Sequence, residues 1–224
     1  MKPTTIIERV STPLGEMALS RHDEDFAIRV GGVELMNSQN HQSEDELGRV
    51  TCAPLKQLAA PRLLIGGLGL GYTLRAALDA LPKSAHVDVA ELVPEVVRWN
   101  RTIFGSLARR PLDDPRVTVI EGDVMRVIAK PSEPYDAIVL DVDNGPDGIA
   151  KGNDALYQRK GLEAARAALK PGGMFAVWSS FESPTFTRWL QNVGFVVTVE
   201  KIRTWHGGGA THWIWLARYH DYKK

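Results

Sequence analysis

Gly67, Gly69 and Gly71 lie in the stretch "RLLIGGLGLGYTLRAAL", where a short apolar run breaks into glycines and then resumes with helical spacing. A strand that turns into a helix at glycines lets backbone N–H groups and the helix N-terminus approach a polar ligand. The dinucleotide fingerprint is G-x-G-x-x-G. Here the spacing is G-x-G-x-G, and Tyr72 stands where the third fingerprint glycine belongs. A bulky side chain there obstructs the tight packing a pyrophosphate needs, whereas the tighter loop suits the arm and ribose of an adenosyl-sulfonium. A plain structural turn would carry the same glycines.

Acids follow at intervals. Glu91 lies 20 residues beyond Gly71 at the end of an apolar run, where a carboxylate can accept from both ribose hydroxyls of any nucleoside. Asp123, in "EGDV", is placed to accept from an adenine amino group with Val124 beside the ring, or simply to cap the next helix. Asp141 ends the run "AIVL" and opens the loop "DVDNGPDG", in which Asp143, Asn144 and Asp147 follow. A carboxylate at such a strand end can take a proton from an attacking group. The other acids suit a distant ammonium or a solvated turn.

The elements that must hold these residues are legible in outline. "TIIERVS", "GEMALSR", "FAIRVGG" and "VELM" alternate with turn residues and predict a small antiparallel unit. Ser43 and Glu46 have the spacing of a capping box for a short linking helix. From Arg62, the runs "RLLIGG", "HVDVAEL", "RVTVIEGD", "YDAIVLD" and "GMFAVWSS" have the composition of strands buried on both faces. Between them, Leu74, Leu78 and Leu81 share one helical face, and so do Val93, Val96, Val97, Asn100 and Phe104 behind Pro94. "ALYQRKGLEAARAAL" predicts one further helix, stopped at Pro171. "FVVTVEKIRTW" and "THWIWLARY" are joined by "HGGGA", too short for a parallel crossover, so they must pair antiparallel. The expectation is α/β: a doubly wound, Rossmann-like seven-stranded sheet ending in a hairpin, the class I methyltransferase type. Residues 1–50 form the β unit and linking helix, and 51–224 the main domain.

Of the 224 residues, 44% are hydrophobic, and no apolar run approaches the roughly 20 residues of a membrane span. No secretory signal is read at the N-terminus, and Cys52 is the only cysteine, so a reducing, cytoplasmic setting is expected. Net charge is zero but uneven: residues 113–154 carry 4 basic and 10 acidic groups, and residues 155–224 carry 10 and 4. No basic run suggests nucleic acid. An acidic middle segment favours a cationic substrate if its carboxylates converge. The histidines lack metal spacing, so no metal is expected, and no G-x-S-x-G elbow supports a serine nucleophile. Trp178 and His212 read as sheet-face and rim residues within reach of a ligand.

From about Thr4 to Ser180 the order of features resembles the spermidine synthase (polyamine aminopropyltransferase) family. The resemblance rests on "IGGLGLGYTLRAAL", "VAEL", "YDAIVLDVDNGPDG" and "LYQRKGLEAARAALKPGGMFAV". It implies a homodimer that transfers an aminopropyl group from decarboxylated S-adenosylmethionine to a small-molecule amine, releasing methylthioadenosine. It further implies Asp141 as proton acceptor, Asp143, Asn144 and Asp147 on the amine, and Gly67, Gly69, Gly71, Glu91, Asp123 and Val124 on the cofactor. Three departures stand out. Gly69 replaces the family's amine-holding Asp, Asn144 replaces its second loop acid, and the expected Tyr-His pair falls near Glu46 and Leu47. They keep two alternatives open: an S-adenosylmethionine-dependent methyltransferase, and a catalytically silent adenosyl-nucleoside module.

Overall fold

The computed structural model describes residues 3–142, 145–146, 154–203 and 209–220. Four strands come first: β1 (Thr5–Thr12), β2 (Gly15–His22), β3 (Asp25–Val30) and β4 (Val33–Asn37), an antiparallel meander. Its inward face does not make a core alone. Met17, Leu19, Phe26 and Ile28 join Leu47 of the linking helix and Trp99 and Phe104 of the main domain in one apolar cluster. Glu8 on β1 accepts from Trp99 Nε1 at 2.8 Å and pairs with Arg98 at 2.6 Å. The small unit is thus fastened to the large one by both packing and a directed polar contact.

Helix α1 (Gln42–Cys52) links the two. The capping box at Ser43 and Glu46 is not formed. The helix starts earlier, with His41 at the cap position and no side-chain cap bond. His41 Nδ1 meets Asp45 Oδ2 at 2.7 Å, while Glu46 turns forward onto Arg49 and cannot reach back. Ser43 lies inside the first turn, and its hydroxyl donates to Glu44 at 2.5 Å.

The main sheet uses β5 (Arg62–Gly66), β6 (His86–Glu91), β7 (Val117–Glu121), β8 (Tyr135–Leu140), β9 (Leu169–Ser179), β10 (Phe195–Arg203) and β11 (Thr211–Tyr219), in the order β10-β11-β9-β8-β5-β6-β7. The five strands β5 to β9 are parallel to one another, and β11 runs antiparallel between β9 and β10. The expected seven-stranded sheet with its terminal hairpin is therefore present. Crossover helices are α2 (Tyr72–Ala80), α3 (Pro94–Thr102), α4 (Val124–Ala129), α5 (Asp154–Tyr157), α6 (Arg159–Ala168) and α7 (Pro184–Asn192). The single helix expected over "ALYQRKGLEAARAAL" is broken at Gln158, whose backbone is extended, and β9 begins at Leu169, ahead of Pro171. Helix α7 has no counterpart in the sequence reading, although Ser183 caps it and Pro184 occupies its first turn. Among the described residues no helix is long and apolar enough to cross a membrane.

β5 and β8 are neighbours, and the chain leaves both at the same rim. Gly66 O accepts from Asp141 N, and Gly67 N donates to Ala90 O, each at 2.9 Å. A Cβ on Gly67, whose φ is +88°, would stand 2.1 Å from the Asp141 carbonyl oxygen. Gly67→Ala is therefore expected to cost about 3 kcal/mol or more in urea unfolding, combining backbone strain with a clash. Gly172→Ala is the control: φ is +82° there with nothing within 4 Å of a Cβ, so only the backbone part of about 1–2 kcal/mol applies. Equal losses would contradict the close approach.

Candidate functional site

The carboxyl ends of the parallel strands open into a cleft roofed by the N-terminal unit. Gly67, Gly69, Glu91, Asp123, Val124 and Asp141 all line it. So do Leu14, Met17, Ile28, Leu35 and Met36, which form an apolar roof supplied by the N-terminal unit. An adjoining chamber of about 540 Å³ shares Met36, Gly69 and Asp141 and adds Glu44, Gly71, Thr73 and Trp178. Asp143, Asn144 and Asp147 lie outside the described residues.

Glu91 is buried at the base of the glycine loop. Its Oε2 accepts from Leu68 N at 2.8 Å and its Oε1 from Val93 N at 2.9 Å. Burial pushes this carboxyl above its ordinary value, and the backbone donors pull the other way. Glu91 thus fixes the loop and also lines the cavity. Asn100 braces the same loop by donating to Gly69 O at 2.8 Å. Asp123 caps α4, accepting from Met125 N at 2.8 Å, and still lines the cavity. Tyr72 lines the adjoining chamber. Its ring stacks on His41 at 3.9 Å and its hydroxyl reaches Ser38 O at 3.3 Å, so it seals the joint between the two units.

Asp141 lines both chambers. Thr73 has one hydroxyl proton and two acceptors within reach, Asp141 Oδ2 at 2.6 Å and the Glu44 carbonyl at 3.3 Å. The shorter, charge-assisted bond takes it. Burial raises the Asp141 carboxyl to about 6, with the Thr73 hydroxyl opposing. Glu44 rises to about 7, from burial first and the Asp141 charge second. Sequence reasoning missed Glu44, Thr73 and Met36; a single acid in "SEDE" carries no mark of which way it faces. Trp178 lines the Glu44 chamber as expected, tilted against His212 at 4.9 Å. Burial lowers the His212 imidazole.

A carboxyl whose folded pKa exceeds its unfolded value stabilises the fold below the unfolded pKa, and that stability is lost as pH rises through the folded one. Glu44→Gln is thus expected to match the wild type in thermal unfolding at pH 4.5 and to exceed it by about 2 °C or more at pH 8.5. A constant difference across that range would refute the raised carboxyl.

The model of the spermine/spermidine synthase domain matches residues 52–193. Putrescine N-methyltransferase 2 of Nicotiana attenuata is 39% identical over 124 residues, covering 54% of this chain and 32% of that protein. Polyamine aminopropyltransferase of Mycobacterium tuberculosis is 28% identical over 193 residues, 82% of this chain and 35% of that protein. The chain thus spans about a third of the length of these relatives. Spermidine synthase from Thermotoga maritima superposes with a TM-score of 0.72 at 17% identity, covering 95% of this chain and 72% of the other. A spermidine synthase complex with the transition-state analogue AdoDATO superposes at 0.71, again at 17% identity and the same coverage. At that identity the likeness speaks for the fold. The family model covers more than half of the chain, from the end of the linking helix through α7: this chain belongs to the spermine/spermidine synthase domain family.

Proposed function

We propose that the chain is a transferase that alkylates a nitrogen of a polyamine-type amine from an adenosyl-sulfonium. The observation that carries this reading is Asp141, a buried carboxyl raised to about 6 that lines both chambers and is our proton acceptor. We assign the nucleoside to the larger chamber. It offers an apolar roof, Val124 and Asp123 at one edge, Glu91 at the base, and open space beside Gly122, where a Cβ would meet nothing within 4 Å. When bound, an adenosyl-sulfonium supplies an electrophilic carbon whose bond to sulfur leaves with its electron pair. The protein's work is then to hold the amine, remove its proton at Asp141, and keep water out beneath the roof. An alkyl ammonium has a pKa of about 10.4 in water, so the nitrogen needs that acceptor.

One contact bears on which group is transferred. Met36 Sδ lies 2.9 Å from the position of a Cβ on Gly69, so a thioether closes the corner where an acid would hold an aminopropyl ammonium. That contact favours the methyl group of S-adenosylmethionine over the aminopropyl group of its decarboxylated form. A homodimer, from the family resemblance, and a reducing, cytoplasmic setting, from the single cysteine, remain part of the proposal.

Three measurements test the reading. Methylthioadenosine or S-adenosylmethionine is expected to bind and NAD is not, and Glu91→Ala should weaken binding at least tenfold. With putrescine, cadaverine, spermidine and agmatine tried in turn, methyl transfer should exceed methylthioadenosine release from decarboxylated cofactor. Asp141→Asn should leave nucleoside affinity intact and lower turnover about 10²-fold or more. Tight NAD binding, or nucleoside binding without turnover of any amine, would overturn the assignment.

A further inference from the structure

Glu44 reaches the site from a different element than Asp141 does. It sits in the first turn of α1, whereas Asp141 follows β8, and both line the smaller chamber with Thr73 and Trp178. Among the described residues neither carboxylate has an ion pair. Their partners are hydroxyls: Ser43 donates to Glu44 and Thr73 to Asp141. The titratable groups that face Glu44 are Asp141 from the end of β8, Asp45 from its own helix and the Tyr72 phenol from α2. Each is acidic, and His41 is engaged by Asp45. On the chamber wall, the Trp178 indole N–H is buried and has no partner among the described residues. The chamber therefore gathers two acids, the charge of Asp141 opposing the ionisation of Glu44, with no cation among the described residues to offset them. Such a pair keeps a proton until a cation arrives.

We propose that Glu44 is the positioning acid of the amine site: with Asp141 it holds one shared proton while the chamber is empty and exchanges that proton for an ammonium group of the substrate. This rests on the amine reading above and assigns Glu44 a part in it. Glu44 holds the nitrogen in place, and Asp141, which also faces the nucleoside chamber, is left ionised to take the nitrogen's proton. The exchange balances: one ammonium enters, one proton leaves to solvent, and the chamber's net charge rises by none. The sign of the pH effect follows from the raised carboxyls. Near pH 6.5 binding releases a proton. Above about pH 8 both acids are already ionised and nothing is released.

Calorimetric titration with putrescine in two buffers of different ionisation enthalpy counts that proton. About one is expected per putrescine at pH 6.5, falling toward zero at pH 8.5. Glu44→Gln should release well under half a proton at pH 6.5, the fraction still on Asp141, and raise the KM for amine at least tenfold while kcat at saturation changes much less. Carbon-13 NMR of the wild-type side-chain carboxyls gives a readout independent of any variant's folding: Glu44 should titrate near pH 7 in the empty protein, and lower in Asp141→Asn. A Glu44 midpoint near 4, or the same proton count with and without Glu44, overturns the proposal. No uptake of putrescine also overturns it, and methylthioadenosine binding measured alongside shows whether the nucleoside reading falls with it.

Discussion

The site depends on one steric constraint: two parallel strands end so close together that the residue after the first cannot carry a side chain. Gly67 passes within contact of the Asp141 carbonyl, and the two strand ends exchange backbone hydrogen bonds with their neighbours at the same rim. The glycine loop and Asp141 are therefore placed relative to each other by sheet geometry and not by side-chain preference. Glu91 adds the second restraint. Its buried carboxylate ties the loop to the start of α3 through Leu68 N and Val93 N. A loop held from both sides can present backbone groups to a ligand without paying to order itself at binding.

Much of this was legible because it is local. Strands buried on both faces show as continuous apolar runs, and acids at their carboxyl ends fall at one rim by topology alone. "HGGGA" forced an antiparallel hairpin by its length. What was not legible depends on phase or on distance. The helix before the glycine domain starts at Gln42 because Asp45 folds back onto His41, and each residue of shift turns a helical side chain by about 100°. That phase decides that Glu44 faces Asp141 while Glu46 faces outward to Arg49. Met36 meets Gly69 across the joint between the two units, a contact that neither local stretch encodes. Helix α7 was hidden by a cluster of turn-forming residues that serve as its cap.

The N-terminal unit also changes meaning once its contacts are known. Its inward face shares a core with Leu47, Trp99 and Phe104. The same sheet turns Met17, Ile28 and Met36 over the cavity. Packing that stabilises the unit is thereby also the packing that shields the cavity, so the two roles cannot be separated by mutation at those positions.

That roof bears on the electrostatics beneath it. Excluding water lowers the effective dielectric and strengthens every charge interaction in the cleft. The proposed reaction brings two positive groups together, a sulfonium and an ammonium, which repel more strongly under such a roof than in water. Asp141 lines both chambers, so its charge acts on both groups, whereas Glu44 lines only the smaller one. With Gly69 carrying no acid and Met36 closing its corner, the negative charge of the smaller chamber is concentrated on the wall formed by Glu44 and Asp141. In the proposed reaction that field would draw an amine toward Asp141, and loss of the amine's proton there would remove the repulsion at the moment the nitrogen becomes a nucleophile.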